Sequence, residues 1–410
     1  MTDTDPSHFA HLTSRRPVRR HLSIDYGGLH VRRHSLAIAA SAAGLSLTLA
    51  ACGSSDSGSS DSGSSDSGSG DSATTAEATA SGDITCVDGS IQAAGSSAQA
   101  NAVTEWVNSY QTACPGSTID YQPVGSGAGV EAFVSGQVSF AGTDGAVVGD
   151  DMSAATDRCN GTPAINIPMV GGAISVAYNL DGVDNLVLSP EAIAGIFSSQ
   201  ITKWNDPAIA ATNDGVDLPD ATIAQFHRSD SSGTTQNFSA YLAAVAPDVW
   251  TYDSGKEWTA PGGQGAKGSD QVIASVEQTA NSIGYVELSY VLEAVNAKGA
   301  AVDQGAGPVE ATTENASTAI GAAEIVGEGN DLVLQLDYAT QEPGAYPIAL
   351  VTYEIACQAG GLADDKNPAL VKAFLEYAST DDGQSAIEQI GYVPITGDLL
   401  DKVRTAVGSL

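Results

Sequence analysis

The sequence predicts an α/β fold of two lobes with a ligand cleft between them, joined by hinge strands, and three observations carry that expectation. From residue 84 onward, short β-rich runs alternate with helix-periodic runs, the pattern of a parallel sheet with helices on both faces. Each of the first three strands ends in a loop of small polar residues, and open α/β sheets bind ligands beyond such carboxyl ends. Two long apolar stretches, 165–178 and 346–356, flank about 170 residues. They would let the chain leave one lobe, build a second and return. A single large α/β domain is the alternative.

Residues 1–51 read as a signal peptide with an N-terminal extension. Arg15, Arg16, Arg19, Arg20, Arg32 and Arg33 precede an apolar run over 36–51, shorter than the ~20 residues a spanning helix needs. Leu49-Ala50-Ala51-Cys52 resembles the bacterial lipobox, whose processing leaves the cysteine as a diacylated N-terminus. Secretion with an incidental Cys52 is the alternative. Residues 52–82 then form the lipidated cysteine and a tether of Gly, Ser and Asp in near-repeats of S-S-D-S-G. That composition cannot build a core.

In the remainder, residues 84–94 read as a strand. Over 98–111, Ala102, Val103, Trp106, Val107 and Tyr110 share one helix face. A second strand at 117–123 runs into Gly125-Ser126-Gly127-Ala128-Gly129, with a short helix through Phe133. A third, at 138–141, ends in Gly142-Thr143-Asp144-Gly145. The segments 165–170 and 173–178, separated by Gly171-Gly172, are the crossing strands out, and 346–356 is the strand back. That places lobe I at 83–169 plus 346–410 and lobe II at 170–345. In lobe II, a β-rich run at 222–226 precedes His227-Arg228-Ser229-Asp230-Ser231-Ser232-Gly233-Thr234 and a helix over 234–245.

The chain carries a formal charge of −33, and without residues 1–51 it has 10 basic against 46 acidic residues, or −36. No stretch of that remainder is basic, so nucleic acid is excluded as a partner on electrostatic grounds. Beyond Cys52 four cysteines remain, with no C-x-x-C, and in an exported protein they read as two disulfides rather than a zinc site. Cys86 lies in the first strand and Cys114 just before its expected neighbour, so these two should pair. Cys159 precedes the outgoing strands and Cys357 ends the returning one, which pairs them in turn.

The 227–238 stretch is the strongest local signal. A strand that ends in Ser, Gly and Thr at a helix start presents free N–H groups, hydroxyls and the positive end of a helix dipole. Arg228, one of only three arginines beyond residue 33, adds a forked permanent charge. The loops at 94–97 and 125–129 offer similar hardware, and Ser97 sits where a helix N-cap would be. Asp144 would repel a fully ionised ligand but accept a hydrogen bond from one that keeps a proton; a turn or cap role is the alternative. The glycine loop fails as a dinucleotide fingerprint, and the 262–268 segment is not a Walker loop. His227 is the one histidine beyond residue 35 and has no G-x-S-x-G elbow. No metal-ligand spacing appears, so no catalytic group, metal or cofactor is expected.

These motifs together resemble the phosphate-binding lipoprotein of the bacterial high-affinity phosphate ABC transporter. The resemblance runs over 84–410 and rests on A-G-S-S at 94–97, Y-Q-P-V-G-S-G-A-G-V at 121–130 and F-A-G-T-D at 140–144. S-P-E-A-I-A-G-I-F-S-S-Q-I-T-K-W-N-D-P-A-I-A at 189–210, R-S-D-S-S-G-T-T at 228–235 and I-G-Y-V-E at 283–287 complete it. It implies a periplasmic-binding-protein-like fold and a non-enzymatic, monomeric protein. Such a protein would capture inorganic phosphate and deliver it to membrane permease subunits, lipid-anchored on the extracytoplasmic face of the cell membrane. It implies that Ser97, Ala98, Ser126, Asp144, Arg228, Ser232, Gly233 and Thr234 contact phosphate, with Asp230 holding Arg228. Where many members have Thr-Phe, this chain has Ser97-Ala98, which removes an aromatic wall. An exported phosphatase on the same scaffold, or a binder of another oxyanion such as sulfate, is the alternative.

Overall fold

One mixed sheet runs through the computed structural model, which describes residues 84–410, all within the unit Glu77–Leu410. The expected signal, the lipidated Cys52 and the tether lie outside the described residues. The elements begin with β1 (Gly89–Gly95), α1 (Ala100–Ala113), β2 (Ser117–Gln122), α2 (Ser126–Val134), β3 (Phe140–Thr143), α3 (Gly149–Arg158) and β4 (Ala164–Asn179). They continue with β5 (Val187–Leu188), α4 (Pro190–Phe197), α5 (Pro207–Ala210), β6 (Ala224–Arg228), α6 (Gly233–Val245), β7 (Gln264–Ala266), α7 (Gly268–Gln278), β8 (Ser282–Glu287) and α8 (Leu288–Glu293). Then come β9 (Lys298–Asp303), β10 (Pro308–Val309), α9 (Thr313–Gly321), β11 (Glu324–Ile325), β12 (Leu334–Gln335) and β13 (Ala349–Cys357). Helices α10 (Pro368–Ala378), α11 (Asp381–Glu388) and α12 (Gly397–Gly408) follow.

The strand order is β2-β1-β3-β13-β4-β8-β6-β7. The flanks are parallel as expected: β1 with β2 and β3, β6 with β7 and β8. The centre is not. β13 runs antiparallel to β3 and β4, and β4 antiparallel to β8. A chain that goes out on β4 and comes back beside it on β13 must run in opposite directions on the two, so the wholly parallel expectation fails where the chain crosses.

The two outgoing segments are one strand of 16 residues. Gly171 and Gly172 do not interrupt it, because Gly171 exchanges backbone hydrogen bonds with Val393 at 2.9 and 2.8 Å. Ala164–Ala173 pairs with β13, and Ile174–Asn179 pairs with β8. Nearly every β4 and β13 side chain is buried, which explains why both read as continuous apolar runs.

Several boundaries move. β1 starts at Gly89 rather than near 84, so Cys86 precedes the strand, and β3 lies two residues later than expected. Helix α1 has Gln99, not Ser97, at its N-cap position, with no side-chain cap. Trp106 anchors α1 to α11 by an Nε1 bond to the Gly383 carbonyl at 2.7 Å. Both expected disulfides form, Cys86–Cys114 and Cys159–Cys357, with Cα atoms 5.3 and 5.5 Å apart. The second ties the residue after α3 to the end of β13 across 198 positions. Among the described residues no helix is long and apolar enough to cross a membrane.

Candidate functional site

The loops after β1, β2, β3 and β6 converge with the start of α7, and they bring the expected residues together. Arg228 ends β6 almost wholly buried, and Asp230 meets it on two prongs: Nε to Oδ1 at 2.8 Å and Nη2 to Oδ2 at 2.5 Å. Burial alone would lower the guanidinium pKa, but the Asp230 bonds and charge lift it above its ordinary value. Burial likewise works against the Asp230 carboxylate, and Arg228 overcomes it and holds the pKa below the usual range. The amide of Gly268 at the start of α7 also donates to Asp230, at 3.1 Å. Thus Asp230 occupies the Nε–Nη2 side of the guanidinium and leaves Nη1 directed at Thr234 Oγ1 and Ser269 Oγ, 3.2 and 3.1 Å away.

Ser232 caps α6 by accepting from the Thr235 amide at 3.1 Å, which places Gly233 and Thr234 in the first turn, at the positive end of the helix. Glycine at 233 has a steric cause. A Cβ there would lie 2.6 Å from Asp144 Cβ and 2.7 Å from Ser126 Oγ, so only a residue without one lets α6 approach the β3 loop.

Asp144 is the centre of a hydroxyl cluster. Its Oδ1 accepts from Ser96 Oγ at 2.5 Å and Thr352 Oγ1 at 2.7 Å, while Oδ2 accepts only from Ser126 Oγ at 3.1 Å. Oδ1 is therefore saturated and Oδ2 keeps one lone pair for a further donor. Burial pushes the Asp144 carboxyl up. The Ser96 and Thr352 hydroxyls, the Arg228 charge and Ser126 all pull it back toward the ionised form. Ser126 Oγ also receives the Gly233 amide at 3.1 Å, which links the β2 loop, the β3 loop and α6 through one oxygen.

Ser97 Oγ lies 3.0 Å from Ser269 Oγ and accepts from the Ser269 amide at 3.1 Å, joining the β1 loop to α7. Ala98 donates its amide to Ser96 Oγ at 3.0 Å. The carbonyls of Ser97 and Ala98 accept from the Tyr290 and Tyr392 hydroxyls, both at 2.7 Å. With no large side chain at Ala98, two tyrosines from distant segments thus fix the loop's backbone.

Ser269 and Thr352 escaped the sequence reading, and Ser96 and Glu287 lay within quoted motifs without being assigned a role. Thr352 is a small polar residue inside the mostly apolar β13 run, a break in the pattern that does not by itself name a partner. Glu287 ends β8, is almost wholly buried, and accepts from Thr234 Oγ1 at 2.6 Å. Burial first and then the Asp144 charge push its carboxyl up, with Arg228 opposing. His227 stacks on Trp258 with ring centroids 4.8 Å apart, and its Nδ1 lies 2.9 Å from the Arg228 carbonyl oxygen. It is engaged with the backbone, not paired to a nucleophile. Among the described residues, no group of three His, Cys, Asp or Glu side chains is placed to hold a metal ion.

Comparison with known proteins shows the family to which the chain belongs. The family model described as a PBP superfamily domain matches residues 73–382. The phosphate-binding protein PstS 3 of Mycobacterium tuberculosis is 39% identical over 385 residues, covering 93% of this chain and 100% of the relative. The chain belongs to the PstS phosphate-binding proteins of the PBP superfamily. A more distant member, the phosphate-binding protein PstS of Xylella fastidiosa, is 32% identical over 321 residues, covering 76% of this chain and 83% of that protein. Among solved structures, a high-affinity periplasmic phosphate-binding protein (PfluDING) bound with phosphate is similar at a TM-score of 0.63 and 21% identity. That match covers 78% of this chain and 93% of the other. A phosphate-binding protein from Stenotrophomonas maltophilia matches at a TM-score of 0.61 and 20% identity, over 77% and 93% of the two chains. The structural matches place the fold in the same class. The family assignment rests on the sequence relatives.

Proposed function

We propose that this protein captures inorganic phosphate outside the cytoplasm and hands it to the permease of an ABC transporter. The observation that carries the reading is the Asp144–Arg228 pairing of opposites in one buried site: a half-free carboxylate oxygen to receive a ligand proton, and a guanidinium prong with a helix start to hold the anion. Phosphate at neutral pH is an oxyanion that still carries a proton. Ser97, Ala98, Ser126, Asp144, Arg228, Ser232, Gly233 and Thr234 are the proposed ligand contacts, with Asp230 holding Arg228. Lobe I is 83–169 with 346–410, and lobe II is 170–345; the division is supported by β4, which pairs with β13 through Ala173 and with β8 from Ile174 onward. On this reading the hydroxyls and amides that now bond one another across the site turn to the anion when it binds. Equilibrium dialysis of the full chain against labelled phosphate at neutral pH should give one phosphate per chain, and no saturable binding would refute the proposal.

The proposed anchor is Cys52, with the stretch that follows as a tether. A Gly/Ser-rich composition over about 29 residues would give a coil of roughly 30 Å root-mean-square, enough for the site to turn toward a membrane partner. Because a single acyl chain holds only marginally, stable anchoring requires the two or more chains of lipoprotein processing. Cys52→Ala should release the protein from membranes with phosphate affinity unchanged. Retention of the variant on membranes after a salt wash would place the anchor elsewhere.

A further inference from the structure

Beneath the Ser96–Ser97 loop, Gln99 and Glu354 meet in the interior at 0% and 1% exposure. Gln99 Nε2 donates to Glu354 Oε1 at 2.7 Å and to the Tyr121 hydroxyl at 3.0 Å, and that hydroxyl donates to the Ser96 carbonyl at 2.8 Å. One atom on each side chain is left over. Gln99 Oε1 and Glu354 Oε2 are both buried and have no hydrogen-bond partner. With an ionised Glu354 both atoms are acceptors only, and turning the amide over would set its oxygen against the carboxylate. Two orphaned acceptors on side chains already joined by one bond are satisfied together by a single proton.

We propose that Glu354 is a neutral carboxylic acid whose O–H donates to Gln99 Oε1, forming a two-point acid–amide pair that positions the Ser96 and Asp144 loops. The network sits directly under β3: a Cβ on Gly142, two residues before Asp144, would lie 2.0 Å from Gln99 Nε2 and 2.7 Å from the Tyr121 hydroxyl. Loss of the proton would put a bare charge beneath both loops.

Burial pushes the Glu354 carboxyl up to about 8, with the Gln99 bond opposing and the Asp144 charge adding to the rise. The titratable groups facing it are Tyr121 on β2 and Asp144 after β3. Its strand-register partners, Gly142 on β3 and Ile167 on β4, carry no charge. Since the folded value lies above the unfolded one, this group's contribution to stability is complete below the unfolded pKa and declines as pH rises through about 8.

The ligand consequence rests on the phosphate reading; the protonation state does not. Infrared spectroscopy of the full chain in phosphate-free buffer reads the carbonyl band of a protonated carboxyl directly. The wild type should show a band near pH 6 that is missing from Glu354→Gln and that disappears on titration through about pH 8. Identical wild-type and variant spectra near pH 6, or a wild-type band that persists unchanged to about pH 9, would overturn the proposal. In a second arm, phosphate affinity of the wild type should fall roughly tenfold more than that of Glu354→Gln between about pH 6 and pH 9, as expected for one buried charge near the anion. Equal slopes would overturn the coupling to the loops. If phosphate does not bind at all, the functional reading fails, and the infrared band still decides the state of Glu354.

Discussion

Replacing Asp144 with asparagine should collapse the preference of this protein for phosphate over sulfate. A site built to receive a hydrogen bond from its ligand can reject the analogue that lacks the proton by about 10⁴–10⁵-fold, because the site's buried acceptor is then left facing another lone pair. Asp144 meets the requirement through its Oδ2, which accepts only from Ser126, while Oδ1 is filled by Ser96 and Thr352. An asparagine amide can donate to either anion, so phosphate should weaken, sulfate should gain, and the ratio should shrink by orders of magnitude. The same logic sets a pH dependence. Burial raises the Asp144 pKa, so acidification should protonate this carboxyl at a higher pH than an exposed aspartate, turn it into a donor and erode the discrimination. Competition calorimetry on the two proteins checks this; an unchanged ratio in Asp144→Asn would remove Asp144 from the selectivity argument.

Arg228→Ala is expected to be nearly as severe, and for two separable reasons. Truncating a charge-assisted donor costs on the order of 1.5–3 kcal/mol of binding. It also leaves Asp230, whose side chain is only 8% exposed, without its counter-ion, and breaking such a pair costs about 3–5 kcal/mol of stability. Arg228→Lys should recover part of the charge but not the fork that meets both Asp230 oxygens, so binding stays impaired. The double variant Arg228→Ala with Asp230→Ala separates the effects: stability should largely return while phosphate binding does not. Denaturant melts and phosphate titrations on the three proteins decide it, and wild-type affinity in either alanine variant would exclude Arg228 from the site.

How much of this was legible in the sequence depended on whether the information was local. The small-polar loops, the Ser-Gly-Thr start of α6 and the out-and-back apolar runs are local patterns, and each fell close to where it was expected. The disulfides were legible because each cysteine sat beside an element whose neighbour could be named. The direction of the central strands was not, since strand alternation says nothing about polarity once the chain crosses and returns. The partners of Asp144 were only half visible. Ser96 and Ser126 belong to glycine-rich loops that announce themselves, whereas Thr352 comes from β13, 208 residues away, and nothing local assigns it to a carboxylate. Glu287, though inside a quoted motif, was given no role and Glu354 was missed for a related reason: a carboxylate at a strand end or within an apolar run looks like surface until the packing shows it buried.

The charge of the chain bears on the same question. At a formal −33 the protein as a whole repels phosphate, yet the Debye length at physiological salt is about 8 Å, so distant carboxylates are screened and the donors inside the site decide affinity. The most direct test of the central claim is a calorimetric titration of the wild-type chain with phosphate and, separately, with sulfate at neutral pH and physiological salt. The expected result is saturable binding of one phosphate with sulfate weaker by several orders of magnitude. Equal affinity for the two anions would contradict the account.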